Sequence, residues 1–354
     1  MRIAILSFSS EGQLLGRRLR EALEGRGSDC TLRRCPEGGL REWTQNHFLS
    51  NDALIFVGSC GLAVRAIAPF VQSKSSDPAV LVIDETGKFV ISLLSGHLGG
   101  ANELTKWVAE ELSATPVITT ATDRRGLFAV DSWARRNGYF VSNPEKIKAV
   151  SAALLEGKTV TFCSDFPISG KVPGQLRLLQ RDCSEAEREA GEQKPGEIDF
   201  SVSWQRRESE ELRIVVPSLY IGIGARKGIS SEAVEQLVDH CLKELKASPL
   251  AVKAVASIDL KANEEGIFEC CARHAWTFLS FSQEELARVE GDFSASAFVK
   301  EVTGVDNVCE RSAVLAAGQG SRLLLRKQSL DGVTCAIALE AISLSFDTAQ
   351  PPQP

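Results

Sequence analysis

The chain has 354 residues, of which 44% are hydrophobic and 24% charged, a composition typical of soluble globular proteins. This length exceeds that of one ordinary core and predicts two or three domains. The formal net charge is −6. No overall basic field would therefore attract nucleic acid, and we do not expect nucleic acid as a partner.

The amino terminus begins with a short apolar run, MRIAILSF, and glycines and charges follow soon after. The run is too short for the apolar region of a secretory signal and fits a first β-strand. No apolar stretch approaches the length of a membrane-spanning helix. We therefore expect a cytoplasmic protein with no membrane partner.

Ten cysteines are scattered along the chain without a C-x-x-C pair. This spacing fits neither a disulfide framework nor a zinc site, and it indicates free thiols in a reducing compartment. We expect no bound metal, although Cys60 or Cys309 could be a single reactive thiol.

Strands and helices alternate in the first 120 or so residues. The predicted strands are 2–8, 30–33, 52–57, 79–83 and 88–93, and the predicted helices are 13–25, one from residue 62, and 101–112. Several strands are continuous runs of Val, Ile and Leu, as parallel strands buried on both faces require. The pattern predicts an α/β domain over residues 1–120, built on a doubly wound, mostly parallel sheet.

A smaller module is predicted for residues 121–211. It has helices at 132–137 and 145–155 and a strand at 159–163. Residues 181–211 are rich in charge and poor in apolar side chains, so we expect much of this stretch to be an exposed insertion or linker.

A separate C-terminal α/β domain is predicted for residues 212–345, followed by a tail, 346–354. Residues 213–223 form its first strand, a glycine turn ends at Gly228, and a helix capped by Ser230 and Ser231 covers 232–245. Further strands are predicted at 251–258, 276–281, 322–326 and 333–339, and helices at 282–289, 296–303 and 309–317.

Three glycine-bearing turns come directly after predicted strands and before predicted helices. They are Gly58–Gly61, Ser95–Gly100 and Gly222–Gly228. Ligands of open α/β sheets bind at the carboxyl ends of strands, and a helix N-terminus favours anions. For any one turn, glycine that only permits a tight connection is the commoner explanation. Three such turns together favour a binding role for at least one of them.

His97 is one of four histidines and the only one in a glycine turn. An imidazole titrates near neutral pH and can take and return a proton. Its neighbours Ser95, Asn102 and Glu103 lie close enough in sequence to orient it or share its work. A histidine that only fixes the turn through a hydrogen bond to a carbonyl is an equally good explanation from spacing alone.

Basic residues lie in or just after two of the turns. Arg65 follows Gly61 by about one helical turn, and Arg226 and Lys227 lie within the third turn, GIGARKG. Such cations suit carboxylates or phosphates, while solvated charges or a surface ion pair are the alternatives. GIGARKG is neither a complete G-x-G-x-x-G nor a P-loop, so a nucleotide is not expected.

Acidic and mixed clusters remain undecided from the sequence. Asp84 and Glu85 end a predicted strand, where a catalytic acid and an ordinary turn acid are both reasonable. The clusters Asp123–Arg125 and Asp306–Arg311 have the same status.

Longer segments go beyond these spacing arguments. They are, in chain order, GLAVRAIAP, DPAVLVIDETG, FVISLLSGHLGGANELT, ITTATD, IGIGARKGISSEAVE, ASIDLKANEEG and TGVDNVCERSAVLAAG. Together they resemble the CbiG family, the cobalt-precorrin-5A hydrolases of anaerobic cobalamin biosynthesis. The similarity extends over nearly the whole chain and is weak only around residues 171–211. Ala225 departs from the pattern because many relatives have cysteine there, which argues against an essential thiol at this position.

The resemblance implies a hydrolase that opens the ring-A δ-lactone of cobalt-precorrin-5A and releases acetaldehyde to give cobalt-precorrin-5B. We expect no protein cofactor, because cobalt would arrive inside the tetrapyrrole substrate. Neighbouring enzymes of the cobalamin pathway are candidate partners, since labile intermediates are often passed between enzymes. A non-catalytic carrier of corrinoid intermediates is the alternative function.

For this reaction we predict that His97 and Glu103 supply the base. The amides of Gly99 and Gly100 are the predicted oxyanion site. Ser95 and Asn102 are further catalytic candidates. The predicted substrate-binding residues belong to the glycine turns or carry positive charge; they are Gly61, Arg65, Gly96, Gly99, Gly100, Gly224, Arg226 and Lys227. The cations would hold carboxylates at the rim of a wide, flat ring.

Overall fold

The computed structural model describes residues 1–73, 76–97, 99–120, 126–179, 198–206 and 210–347. The cluster Asp123–Arg125 lies outside these described residues. Two compact units divide the chain: the first contains Met1–Asn137 and Pro144–Thr159, and the second contains Gly138–Asn143 and the described residues from Val160 onward. None of the described helices is long and apolar enough to cross a membrane.

A six-stranded sheet forms the centre of the first unit. Its strands are β1 (Arg2–Ser7), β2 (Asp29–Arg34), β3 (Ala53–Val57), β4 (Ala79–Ile83), β5 (Phe89–Leu94) and β6 (Thr115–Val117). They lie in the order β2-β1-β3-β4-β5-β6. The helices of this unit are α1 (Ser10–Glu24), α2 (Leu40–His47), α3 (Cys60–Ile67), α4 (Ala101–Leu112), α5 (Val130–Arg136) and α6 (Ile147–Leu155).

Helices cover both faces of this sheet. On one face the central strands pack against Leu19 of α1 and Val108 of α4. On the other face they pack against Trp43 of α2 and Ile67 of α3. Strands β3 and β4 are buried along their whole length because both of their faces are covered. The prediction of a doubly wound, mostly parallel sheet is confirmed.

The direction of β5 decides where the glycine turns of this unit lie. Strands β1 to β4 are parallel, whereas β5 runs antiparallel to β4 and parallel to β6. Leu94, at the end of β5, consequently pairs with Val80, near the start of β4. The turn Ser95–Gly100 therefore lies at the sheet edge opposite to Gly58–Gly61. The two glycine turns of this unit therefore cannot line one common ligand site at a single edge of the sheet.

The second unit begins with a smaller sheet. Its region contains β7 (Phe140–Val141), β8 (Val160–Ser164), β9 (Ile168–Ser169), β10 (Leu176–Leu178), β11 (Phe200–Ser203) and β12 (Leu212–Val215). Five of these strands form a sheet in the order β10-β8-β11-β12-β7, and only the β12 and β7 pair is antiparallel. Strand β9 pairs instead with a short strand at Leu344–Ser345.

A second five-stranded sheet follows in this unit. Its strands are β13 (Leu219–Ala225), β14 (Val252–Ile258), β15 (Thr277–Phe281), β16 (Arg322–Leu330) and β17 (Val333–Leu339), and the short strand Leu344–Ser345 is β18. The order is β15-β14-β13-β17-β16, with β17 antiparallel to both of its neighbours. The helices are α7 (Ser231–Glu244), α8 (Glu265–His274), α9 (Gln283–Ala287), α10 (Ala297–Thr303) and α11 (Cys309–Ala317).

Helix α11 lies directly on β13. A Cβ atom at Gly222 would be 1.8 Å from the carbonyl oxygen of Cys309, so only glycine allows this approach. Gly222 of this strand is therefore needed for the packing of α11 on β13. The predicted small middle module and separate C-terminal α/β fold are confirmed.

Two stretches of the second unit differ from the prediction. The single strand expected at 213–223 is two strands in different sheets, because Pro217 lies between them and lacks the amide that a continued ladder needs. The expected charged linker also contributes Phe200–Ser203, a strand whose four residues are all buried. The charged residues before and after it concealed this short strand in the sequence.

Candidate functional site

The turn between β5 and α4 is folded tightly on itself. Ser95 has φ +56°, and Gly100, the N-cap of α4, has φ +82°. A Cβ atom at Gly99 would be 2.3 Å from the Cβ of Ser95, and one at Gly96 would be 2.8 Å from Oδ1 of Asn102. These glycines were predicted to contact the substrate. They also have a steric role, because any side chain at either position would open the turn.

The amides at the start of α4 are already used by the turn. The N–H of Gly100 donates to the carbonyl of His97 at 3.0 Å, and the N–H of Ala101 donates to that of Ser95 at 3.1 Å. The N–H of Asn102 donates to the carbonyl of Gly96 at 3.0 Å. The prediction that the Gly100 amide is an oxyanion donor is wrong for this conformation, because that hydrogen is bonded inside the turn.

Asn102 is buried behind the turn, where its side chain connects neighbouring segments of the chain. Its side-chain oxygen accepts a hydrogen bond from Ser92 Oγ at 2.7 Å, and its amide nitrogen donates to Thr120 Oγ1 at 3.0 Å. Only 3% of the residue is exposed. These contacts tie α4 to β5 and to the chain after β6, so the geometry supports a structural contribution by Asn102.

His97 faces an aspartate that sequence spacing did not connect with it. Its Nδ1 atom lies 3.5 Å from Oδ2 of Asp131, which is in the first turn of α5. The His97 side chain is 22% exposed and that of Asp131 only 8%. The other carboxylate oxygen of Asp131 accepts the amide of Ser132 at 2.9 Å. The pair joins a partly accessible imidazole to a buried, oriented carboxylate.

Glu103 has different partners from the predicted one. Its Oε2 atom lies 2.8 Å from Nη1 of Arg135, and its Oε1 atom lies 3.3 Å from Nε of Arg136. The prediction that Glu103 is the carboxylate beside His97 is therefore corrected, because α5 brings Asp131 to the imidazole and two guanidinium groups to Glu103.

Ser95 contributes an isolated hydroxyl to the turn. Its Oγ atom is buried and has no hydrogen-bond partner among the described residues. A buried hydroxyl without a hydrogen-bond partner lowers the stability of the folded protein. The positive φ of Ser95 is a second unfavourable feature of the same residue. The predicted catalytic role of Ser95 stays a prediction.

The predicted residues at the opposite edge of this sheet are exposed. Gly61 and Arg65 belong to α3, and Arg65 Nη1 donates to the carbonyl of Gly61 at 3.4 Å. Because the two turns occupy opposite edges, the structure does not bring Arg65 together with His97. Asp84, also at that edge, accepts hydrogen bonds from the amides of Thr86 and Phe89. Burial alone would raise the pKa of Asp84, but a hydrogen bond from the Thr86 hydroxyl, together with those from the amides, holds it below its ordinary value.

The GIGARKG turn of the second unit is closed by its own contacts. The carbonyl of Gly224 accepts a hydrogen bond from Thr334 Oγ1 at 3.2 Å, and the amide of Gly228 donates to the carboxylate of Glu264. The amide of Gly228 thus donates to a carboxylate of the protein itself, whereas the predicted binding cations Arg226 and Lys227 remain exposed.

Glu264 is itself well neutralised. Burial would raise its pKa, but Lys261 at 3.0 Å and the amides of Gly228 and Ile229 hold it below its ordinary value.

The charged side chains of the cluster Asp306–Arg311 also have partners within the protein. Arg311 Nε lies 3.0 Å from Asp306 Oδ1, and the fully buried Glu310 accepts a hydrogen bond from the amide of Lys327.

The first unit therefore holds the best candidate site. The structure brings His97 of the turn and Glu103 of α4 together with three residues of α5, which are Asp131, Arg135 and Arg136, and Ser95 begins the same turn. Sequence reasoning missed these three, although DSWARR places an acid and two arginines one helical turn apart. Within the described ranges, no group of three or more His, Cys, Asp or Glu is arranged to hold a metal ion.

Three family models match the chain in order. They are Cobalamin synthesis G N-terminal over residues 42–123, Cobalamin biosynthesis central region over 128–217, and Cobalamin synthesis G C-terminus over 219–338.

Known proteins also resemble the chain over most of its length. A cobalt-precorrin-5A hydrolase of Priestia megaterium is 33% identical over 314 residues, covering 85% of this chain and 82% of that protein. A protein of the same name from Salmonella typhimurium is 35% identical over 319 residues, covering 86% of both. A solved structure of a cobalamin biosynthesis protein G homologue from Sulfolobus solfataricus is 23% identical, with a TM-score of 0.41 over 95% of this chain and 96% of that one.

Proposed function

The chain belongs to the CbiG family, and from that premise we propose that it is a cobalt-precorrin-5A hydrolase of cobalamin biosynthesis. The observation that carries this proposal is the likeness to two proteins of that name, at 33% and 35% identity over most of each chain. The imidazole of His97 in the SGHLGG turn and the carboxylate of Asp131 in α5 form a pair that supplies chemistry such a hydrolysis needs.

The proposed reaction has two parts. Water adds to the lactone carbonyl, and the carbon–oxygen bond of the ring breaks to leave a carboxylate and a hydroxyl on the two-carbon unit. This hydroxyl then loses its proton, its carbon becomes the carbonyl of acetaldehyde, and the bond to the macrocycle breaks. The electron pair of that bond remains on the macrocycle, which takes up a proton. Both parts need a group that accepts and returns protons.

His97 is the group proposed for this proton transfer. Asp131 lies beside Nδ1, so it would hold the imidazole in one orientation and stabilise the imidazolium that forms. The other ring nitrogen would take a proton from water and later return it. Asp131 is thus a positioning residue. The amide of Gly99 and the hydroxyl of Ser95 remain candidates for contact with the tetrahedral oxyanion.

No protein cofactor enters this proposal. The cobalt ion is part of the tetrapyrrole substrate, and the proton transfers need only side chains and water. Gly61, Arg65, Gly224, Arg226 and Lys227 remain predicted substrate contacts. Enzymes that make or consume the labile intermediates are proposed as transient partners.

The test is acetaldehyde release from cobalt-precorrin-5A by purified protein, with His97→Ala beside the wild type. His240→Ala is the matched control, because that histidine is 67% exposed on α7. Release by the wild type and the control, with at least a hundredfold loss in His97→Ala and substrate still bound, would support the proposal. Tight binding without release by any of the three proteins would favour a carrier instead. Equal release by all three would remove His97 from the mechanism.

A further inference from the structure

Two guanidinium groups share one carboxylate beside the proposed base. Arg135 and Arg136 of α5 contact the two oxygens of Glu103 at 2.8 and 3.3 Å. The three side chains are between 27% and 31% exposed, so solvent and ligands reach each of them. The cluster carries one net positive charge.

The geometry couples this cluster to His97. Asp131 and Arg135 are one turn apart on α5 and therefore on the same face of that helix. Asp131 lies beside His97, and the guanidinium of Arg135 lies over Gly100, where an added Cβ atom would be 2.1 Å from Cζ. Asp131 thus contacts His97, and Arg135, one helical turn later, contacts the position of Gly100, three residues after His97.

Within the part of the chain that the structure describes, the contacts with Glu103 leave most of the guanidinium N–H donors of this cluster unused. Each guanidinium has five N–H donors in a planar fork. The contacts with Glu103 use Nη1 of Arg135 and Nε of Arg136. A fork of this kind binds a carboxylate through two parallel hydrogen bonds, and Glu103 already shows that a carboxylate fits between these arginines.

We propose that Arg135 and Arg136 bind a peripheral carboxylate of the tetrapyrrole substrate and so place its lactone against His97. This inference rests on the proposed function. Glu103 holds both guanidinium groups in position and competes with the substrate carboxylate for them. The alternative is an ion-pair clamp that only joins α4 to α5.

The two explanations differ in the sign of one effect. If the arginines bind a substrate carboxylate, Glu103→Gln raises the net charge of the cluster and strengthens binding, whereas Arg135→Gln or Arg136→Gln weakens it. If the ion pairs are only a clamp, loss of either partner changes the binding affinity in the same direction.

The probe is uroporphyrin, a tetrapyrrole with eight carboxylates, and its binding needs no turnover. Coproporphyrin, with four carboxylates, provides the charge series.

The dissociation constants are measured by fluorescence titration, with thermal unfolding to establish that each variant is folded. We expect Arg135→Gln and Arg136→Gln to weaken uroporphyrin binding about tenfold each and Glu103→Gln to tighten it several-fold, with smaller changes for coproporphyrin. If Arg135→Gln does not fold, Arg135→Lys keeps the charge but removes the fork and is expected to weaken binding as well.

Arg326→Gln and Asp292→Asn are the charge-matched controls, because that ion pair at 2.8 Å is well exposed in the second unit. They are expected to change the dissociation constant by less than about twofold. The proposal is overturned if the wild type does not bind uroporphyrin, if Glu103→Gln weakens binding as the arginine variants do, or if the controls have effects of equal size. Acetaldehyde release separates the two proposals: the charge pattern without release refutes the hydrolase alone, and release without the charge pattern refutes this site alone.

Discussion

Nδ1 of His97 lies 3.5 Å from Oδ2 of Asp131, which places a partly exposed imidazole against a carboxylate that is almost fully buried. A carboxylate in this position selects which ring nitrogen carries the proton and keeps the ring in one orientation. The contact joins the turn after β5 to the first turn of α5. The orientation of His97 therefore depends on a buried residue of a different helix.

Asp131→Asn is expected to lower kcat for acetaldehyde release about a hundredfold while KM changes by no more than a few-fold. Asparagine keeps the shape of the side chain but offers a donor where the imidazole needs an acceptor. Asp131→Glu is expected to recover part of the loss. Asp77→Asn is the control, since Asp77 is also buried in the first unit, where it accepts the amide of Gln72. An equal loss of kcat in this control would show that Asp131 acts only through stability.

The central strands of the first unit could be predicted because the residues of each strand, taken alone, identify it as a buried strand. Strands such as β3 and β4 are continuous apolar runs, and burial on both faces requires that composition. The direction of β5 was not predicted, although only residues 84–87 separate the two predicted strands, which is too short for the crossover that parallel strands need. It depends on a short hairpin, closed by Asp84, that sends the chain back along β4. This reversal moved the SGHLGG turn to the other sheet edge.

His97 could be found from sequence because a lone histidine between glycines is unusual within a short window. Its partner could not. Asp131 reaches it only through the packing of α5 beside the turn, and no spacing rule connects residues so far apart. Glu103 was the nearest acid in the sequence, but Arg135 and Arg136 engage it. Proximity along the chain therefore favoured Glu103, whereas the fold pairs His97 with Asp131.

Gly100→Ala and Gly138→Ala form a matched pair that isolates the contact with Arg135. Both glycines have a positive φ, +82° and +69°, so alanine at either position is expected to cost about 1 kcal/mol of unfolding free energy. Only at Gly100 does the new Cβ meet a side chain, the flexible guanidinium of Arg135. Gly100→Ala is therefore expected to lower kcat/KM at least tenfold, and Gly138→Ala to leave it unchanged.

The measurements for this pair are urea unfolding and steady-state acetaldehyde release. A similar loss of stability in both variants, with activity lost in one, would support the placement of Arg135 over Gly100. If Gly138→Ala lost activity to the same extent, backbone strain alone would account for both results.

The carboxylate of Glu264 is expected to make stability depend on pH. Its pKa in the folded protein is held below the ordinary value of 4.5. A lowered folded-state pKa means that the stabilisation is fully present above the unfolded-state pKa and is lost as pH falls through the folded-state value. Glu264→Gln is thus expected to cost about 1 kcal/mol at pH 7 and progressively less below about pH 4.5.

The measurement for Glu264 is urea unfolding of both proteins at several pH values between pH 7 and pH 3. Glu265→Gln is the control, because this neighbour is exposed in the first turn of α8. If the unfolding free energy of Glu264→Gln were lower than that of the wild type by the same amount at every pH, the result would contradict the contacts with Lys261 and the Gly228 amide.

Alkylation is expected to separate the two cysteines that the sequence suggested as reactive. Cys309 is 1% exposed, and burial raises its pKa to about 11. Cys60 is partly exposed at the start of α3. Since the thiolate is the reactive form, iodoacetamide at pH 7.5 should modify Cys309 more than about a hundredfold more slowly than Cys60. Mass spectrometry of the labelled peptides measures both rates, and labelling in urea provides the unfolded reference. Equal rates in the folded protein would mean that α11 separates from β13 on the time scale of labelling, contrary to the close contact at Gly222.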